Sequence, residues 1–257
     1  MIPVIPWYIE VISVATNFAI AVAVWTILSS AAGRSGLAPV SQQRVRIGAA
    51  IFIGAWLVAA LVLAPAPETL LVRDPYSLTP LVPLFGIGPI IVALLIITLS
   101  PAVRRVIAAA SLPMIIGVQV YRVIGVVFVI LLAQGQLPAH FALPAGWGDV
   151  VVGLSAPLVA LALARGGWRA RTLAAGWNVF GLLDLVVAVG MGSGYLAPFL
   201  ASDLGPRVAP APAMGVFPLI LVPTFAVPVS VLLHLIALGR LGRELKLGLG
   251  FVPKVAR

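Results

Sequence analysis

The stretch from Leu112 to Ala133 reads LPMIIGVQVYRVIGVVFVILLA, and it decides the class of fold. Its 22 residues are almost all apolar, which is long enough for a helix to cross the hydrocarbon core of a bilayer. One cation, Arg122, falls near its centre. A charge at that depth is costly unless it is paired, and such charges mark functional sites. The residues that could pair with Arg122 are therefore the first candidates for a site.

The composition of the whole chain indicates the same environment. Of its 257 residues, 62% are hydrophobic and 9% are charged, whereas a soluble domain has about a quarter of its residues charged. The alternating pattern of a transmembrane β-barrel is missing. We therefore expect an all-α integral membrane protein. The chain has no cysteine, which excludes disulfides, thiolate metal sites and cysteine nucleophiles.

Seven apolar runs predict a bundle of seven transmembrane helices that forms one domain over residues 1–239. A basic tail is expected to follow over residues 240–257. Prolines in most of the connections support these boundaries, since proline cannot continue a helix. Three prolines inside the last run predict kinks there. The predicted helices cover residues 7–30, 47–64, 80–99, 112–133, 148–164, 172–196 and 214–238.

The basic residues predict the orientation. Thirteen of the 16 lie in the connections after the first, third, fifth and seventh runs, and the opposite side holds only Arg73 and Arg207. Because cytoplasmic loops are enriched in Lys and Arg, the N-terminus is predicted to lie outside and the C-terminus in the cytoplasm. Seven crossings require the same arrangement. The Ala, Val, Gly, Pro and Arg content is typical of a GC-rich bacterial genome, so we expect the cytoplasmic membrane of a bacterium.

Asp184 is the predicted partner of Arg122. It lies about twelve residues into the run 172–196, so the two side chains have similar depths. Gln119 precedes Arg122 by three residues and shares its helix face. One interpretation is a buried polar site that binds an ion, a proton or a small anion. The other is a structural pair that holds two helices together.

Asp149 is the third candidate ligand-binding residue. It is predicted at the start of the run 148–164, where a carboxylate stabilises the helix dipole. The alternative is a carboxylate at the mouth of a cavity that leads towards Arg122. Small residues follow it at helical spacing and predict that another helix approaches closely. They are Gly153, Ala156, Pro157 and Ala160.

Other polar residues carry weaker predictions. Asn17 and Asn178 are expected to form hydrogen bonds between helices. His140 is predicted in an outer loop and His234 near the inner end of the last run, so the two cannot both ligate one haem. No spacing typical of a metal site occurs in the sequence. No catalytic or metal-binding residue is therefore predicted.

Three classes of function remain open. The first is binding or transport of a small molecule or ion at Arg122, Asp184, Asp149 and Gln119. The second is an accessory subunit of a larger membrane complex, in which the pair is structural. The third, a membrane enzyme that uses Asp149 or His140, has the least support, because no nucleophile and base can be assembled. The expected partners are the lipid bilayer and other membrane subunits or a second copy, not nucleic acid. No cofactor is predicted, but a bound lipid or quinone stays open.

Overall fold

The computed structural model describes residues 5–63, 81–193 and 211–249, which are almost entirely helical and contain no strand. The remaining residues hold several predicted features, which therefore lie outside the described ranges. They are the ends of the second and sixth runs, Arg73, Arg207 and the tail from residue 250 onwards.

The first half of the chain forms two long helices and a bent pair. The helices α1 and α2 cover Trp7–Arg34 and Pro39–Leu63. The helices α3 and α4 cover Leu81–Leu99 and Pro101–Ala109, with a bend of 99° between them. Ser100 lies at the bend and accepts a hydrogen bond from the Val103 backbone N–H, which caps α4.

The second half carries the site. One continuous span consists of α5 (Leu112–Gly117), a 3-10 helix (Val118–Gly125) and α6 (Val126–Ala133). The helices α7 and α8 cover Ala139–Arg165 and Trp168–Gly192. A π-helical turn (Val222–Ala226) leads into α9, which covers Val227–Leu249.

Six of these helices are long and apolar enough to cross a membrane, and a seventh is added if α3 and α4 form one bent span. Large apolar side chains on their outer faces are exposed, for example Leu158, Val22 and Val186. In a helical membrane bundle these faces contact lipid. The described chain is thus an all-helical bundle of membrane type, as its composition predicted.

Several predicted helix boundaries are wrong, among them the start of the second helix, which was expected at residue 47 and lies at Pro39. We expected the fifth helix to begin at residue 148, but α7 begins at Ala139 and continues through Pro144. Proline near a helix start removes few hydrogen bonds, and membrane helices tolerate it because neighbouring groups satisfy the freed carbonyls. The last helix was expected to end at residue 238, but α9 continues past Arg240 and Arg243. Charged residues at the end of a membrane helix can stay helical because their side chains extend towards water.

The prolines of the last run break its helical pattern, as predicted. Pro228 has no backbone N–H, so the carbonyl of Thr224 four residues earlier loses its helical donor. The indole N–H of Trp56 on α2 donates to that carbonyl over 2.8 Å. A π-helical turn at Val222–Ala226 accommodates the disturbed register. Such turns are frequent at functional sites.

The helix α7 lies at the centre of the second half. It packs against α5, the 3-10 helix, α6 and α8, and α8 in turn packs against α9. Gly153 on α7 lies directly against the backbone at Val123, where a methyl group would clash. The close approach predicted from the small residues of this helix is therefore confirmed. It brings the polar residues of four elements together.

Candidate functional site

Arg122 lies in the 3-10 helix and is 2% exposed. An eight-residue stretch of 3-10 helix inside a span is unusual, since such runs rarely exceed three or four residues. The guanidinium of Arg122 contacts two carboxylates. Its Nε donates to Oδ1 of Asp149 over 2.6 Å, and its Nη2 donates to Oδ2 of Asp184 over 2.5 Å. The predicted pair of Arg122 and Asp184 thus forms, and Asp149 joins it directly.

The third nitrogen of the guanidinium is also satisfied. Nη1 of Arg122 lies 3.1 Å from Nε2 of His234 and 3.4 Å from the carbonyl oxygen of Gly181. A guanidinium has only donors, in a fixed planar fork. Each arm of the fork therefore meets an acceptor on a different helix: α7, α8 or α9.

These contacts determine the protonation of His234, which is fully buried. The side-chain amide N–H of Asn178 donates to the Ala174 carbonyl over 2.7 Å, which turns Oδ1 of Asn178 towards the imidazole. Oδ1 can only accept, so Nδ1 of His234, 2.8 Å away, carries the hydrogen. Nε2 faces the donor Arg122 and must therefore be unprotonated. His234 is the neutral tautomer with the hydrogen on Nδ1.

Gln119 lies beside the same imidazole and is also fully buried. Its Nε2 is 3.4 Å from Nδ1 of His234, and its Oε1 has no partner. Because Nδ1 carries a hydrogen, an amide with Oε1 turned towards His234 fits this position better. We call the six residues the Arg122 centre. They are Gln119, Arg122, Asp149, Asn178, Asp184 and His234.

Three glycines make room for this centre, and one of them, Gly125 in the 3-10 helix, lies where a methyl group would overlap the side chain of Asp149. A methyl group at Gly148 on α7 would overlap the carboxylate of Asp184, and one at Gly181 on α8 would overlap the imidazole of His234. The latter would also lie 3.3 Å from Nη1 of Arg122. Glycine is required where a backbone must approach this closely. The carboxylate of Asp184 therefore lies directly against the backbone of α7 at Gly148.

The charges of the centre do not balance when both carboxylates are ionised. One guanidinium faces two carboxylates, and His234 is neutral, so the sum is one negative charge. An uncompensated charge in a buried apolar site is strongly unfavourable. The second carboxylate therefore needs a proton or a small cation. Among the described residues, no group of three or more His, Asp or Glu side chains could hold a metal ion.

A cavity of about 50 Å³ borders one side of the centre. A water molecule needs roughly 10–15 Å³ of such a cavity volume. The cavity therefore has room for a few water molecules. The cavity touches Arg122 and Asp149 but not Asp184 or His234. Its other polar lining residues come from α1, the 3-10 helix and α9. They are Ser13, Thr16, Asn17, Tyr121 and Ser230.

The sequence located some of these residues and missed others. Arg122, Asp184 and Gln119 meet in the structure, and Asp149 lies ten residues inside α7 instead of at its start. The prediction that Asp149 begins a helix is therefore wrong. His234 was expected near the inner end of its helix, but it lies in the Arg122 centre, in contact with Arg122. The depth of His234 in the membrane was misjudged because α9 continues beyond Arg240, where the helix was expected to have ended.

Comparisons with known proteins add one match. Residues 79–242 match the model of a family described as a domain of unknown function, DUF8737. No curated protein matches the chain, and no solved structure does. The matched range contains all six residues of the Arg122 centre, whereas α1 and α2 precede it. Because the match covers more than half of the 257 residues, the chain belongs to this family of domains of unknown function.

Proposed function

We propose that this chain is a seven-helix protein of the bacterial cytoplasmic membrane whose Arg122 centre binds or transports a small ion. In this proposal α3 and α4 together provide the third crossing. At 19 residues α3 is about 28 Å long, close to the thickness of the hydrocarbon core. The N-terminus would lie outside and the C-terminus in the cytoplasm, which the distribution of basic residues supports.

The unequal number of opposite charges is the observation that carries the proposal. A structural ion pair needs one carboxylate for Arg122, yet Asp149 and Asp184 both contact it. Placing a second carboxylate in the membrane interior is costly, and a neutral acceptor at the same position would hold its helix without that cost. The second carboxylate creates a position for a proton or cation. The same two carboxylates disfavour an anion at this position.

The alternative is an accessory subunit of a membrane complex, with a purely structural centre. One observation favours it: every nitrogen of the Arg122 guanidinium already has an acceptor. A fully bonded guanidinium would hold α7, α8 and α9 in place without a ligand. This alternative predicts that other membrane proteins copurify with the chain from its native membrane.

Ion flux through purified protein in liposomes tests the proposal. Wild-type protein is expected to dissipate an imposed proton or sodium gradient faster than protein-free liposomes do. Asp184→Asn leaves one carboxylate for Arg122, balances the charges and should abolish this flux. Glu244→Gln is a matched control, because Glu244 forms an ion pair with Arg171 at 2.8 Å that is more than one-third exposed.

The outcomes separate the two candidates. Flux lost in Asp184→Asn and kept in Glu244→Gln supports the proposal, provided that both variants remain helical and monodisperse. Wild-type flux no faster than that of empty liposomes, for proton and for sodium alike, would refute transport by the Arg122 centre, and only ion binding would then stand. Flux that Asp184→Asn leaves unchanged would refute transport by this centre as well.

A further inference from the structure

We propose that Asp149 is the exchangeable proton site of the Arg122 centre and that it exchanges its proton with water in the neighbouring cavity. Asp184 is then the fixed counter-ion of Arg122. This inference rests on the proposed function, since it names the ion and the side chain that carries it.

The two carboxylates have different surroundings. The side chain of Asp149 is 14% exposed and lines the cavity, whereas that of Asp184 is 7% exposed and does not. Both side chains lie against a glycine of a neighbouring element, Asp149 against Gly125 and Asp184 against Gly148, so the cavity is what distinguishes them. Proton exchange needs a hydrogen-bonded path to water. Of the two carboxylates, Asp149 is the one that borders such a space.

The residues that line the cavity with Asp149 include one with an unsatisfied acceptor. Asn17 on α1 is 2% exposed, and its amide N–H donates to the Ser13 carbonyl over 2.8 Å. Its Oδ1 is buried and has no partner in the protein. A buried polar atom of this kind normally binds an ordered water. Asn17 therefore points to water in the cavity.

A second acceptor comes from Tyr121. Ser230 donates its hydroxyl hydrogen to the Ala226 carbonyl over 2.9 Å. Tyr121, whose hydroxyl lies 2.6 Å from Oγ of Ser230, must therefore be the donor in that contact. The remaining lone pair of the Tyr121 hydroxyl can accept a hydrogen bond. Asn17, Tyr121 and the Asp149 carboxylate thus all present acceptors, which suit a guest that donates hydrogens, such as water with an excess proton.

The groups that act on Asp149 come from each packed element. The 3-10 helix presents the cation Arg122 and the hydroxyl of Tyr121, and α8 presents the carboxylate of Asp184. The neutral imidazole of His234 on α9 lies behind Arg122. The α1 wall presents neutral groups only, which are Ser13, Thr16 and Asn17. With Asp149 protonated, the charges of Arg122 and Asp184 cancel.

The exchange is a simple proton transfer. The O–H bond of the Asp149 carboxyl breaks, and the proton goes to a cavity water to give hydronium and the Asp149 carboxylate. The reverse step restores the neutral carboxyl. No oxidant, reductant or further reactant is needed.

Infrared difference spectroscopy of the purified protein at neutral pH, recorded in H₂O minus D₂O, tests the assignment, because ordinary surface carboxyls are ionised at that pH. Wild-type protein made with carboxyl-¹³C-aspartate should show the C=O band of a protonated carboxyl, displaced by the isotope. In Asp149→Glu the proton moves to an unlabelled glutamate, so the displacement should disappear. In Asp184→Glu the displacement should remain. Simple Asn variants are less informative, because either one leaves a balanced pair with Arg122.

Several outcomes would overturn the assignment. They are a wild-type spectrum without a protonated carboxyl band, and a displacement that persists in Asp149→Glu. If the crowding at Gly148 prevents Asp184→Glu from folding, wild type and Asp149→Glu alone decide the question. A band whose titration midpoint moves with sodium concentration would replace the proton with a metal cation and refute the proposal.

Asn17→Leu is a further variant that leaves both carboxylates in place. It removes the polar amide of a residue that lines the cavity, so the Asp149 band is expected to shift and its exchange for deuterium to slow. An unchanged band and exchange rate would contradict exchange through the cavity. These spectra do not depend on flux. A band that follows Asp149 without any flux would refute the proposed transport and leave the proton site standing.

Discussion

Removing the charge of Arg122 is expected to destabilise the protein more than removing either carboxylate. Arg122 is 2% exposed, and its partners Asp149 and Asp184 have side chains 14% and 7% exposed, so solvent screens these pairs little. Arg122→Met leaves the carboxylate of Asp184 buried without its cation, beside the protonated Asp149. Breaking a buried ion pair from one side costs about 3–5 kcal/mol. The folded fraction relative to the unfolded one should therefore fall by roughly two to three and a half orders of magnitude.

Either single Asn variant should be milder. Asp149→Asn or Asp184→Asn leaves one carboxylate for Arg122, and the new amide can still accept a hydrogen bond. We expect a loss of roughly 1.5–3 kcal/mol, the net value of one hydrogen bond to a charged group. The triple variant with Met at 122 and Asn at both carboxylate positions carries no charge. It should recover much of the loss, since replacing a whole buried ion network by neutral groups is often tolerated.

The free energy of unfolding of these variants can be measured in detergent micelles or bicelles. Trp177 gives a local fluorescence signal, because its indole ring lies 5.3 Å from the imidazole of His234. Circular dichroism reports the helices as a whole. An Arg122→Met variant within about 1 kcal/mol of wild type, or one more stable than both Asn variants, would refute the charge count on which the proposed function depends.

Two further predictions concern packing around the centre. Gly181→Ala should cost about 1–3 kcal/mol in unfolding experiments, because its methyl group would overlap His234. Gly176→Ala on the same helix has open space around it and should be neutral or stabilising, so equal losses in both variants would contradict the steric argument. Arg240→Gln removes the donor to the carbonyls of Ile107 and Ala110 at the end of α4. Hydrogen exchange of residues 101–110 should then rise, and Arg243→Gln, on the exposed face of α9, should leave it unchanged.

Much of the fold followed from physical limits that apply to any membrane chain. Lipid offers no hydrogen bonds to the backbone, so long apolar runs must form helices. The same limit made Arg122 the first candidate, and equal depth selected Asp184 as its partner, which the structure brings within 2.5 Å. The depth of a residue in the membrane can be predicted from a sequence when both ends of its apolar run are well marked. The span from Leu112 to Ala133 has such ends.

Asp149 and His234 were placed wrongly because residues that usually mark a helix boundary lie inside α7 and α9. Pro144 lies inside α7, and Arg240 and Arg243 lie inside α9. A proline or a pair of arginines predicts a boundary on average, but neighbouring helices can satisfy the freed groups. Once α7 and α9 have their observed lengths, Asp149 and His234 fall at mid-helix. Their depths then match that of Arg122, and the second carboxylate of the centre is no longer a surface residue.

The tautomer of His234 and the role of Asn17 required the hydrogen-bond network itself. A sequence gives the number of polar groups but not which donor meets which acceptor. Here the charged partners all lie within the residues that match the family, whereas Ser13 and Asn17 on α1 precede them. The matched residues thus supply the charges and most of the cavity lining, and α1 adds a neutral polar part of the wall. Changes in α1 should alter the hydration and exchange rate of Asp149 without changing the number of charges at Arg122.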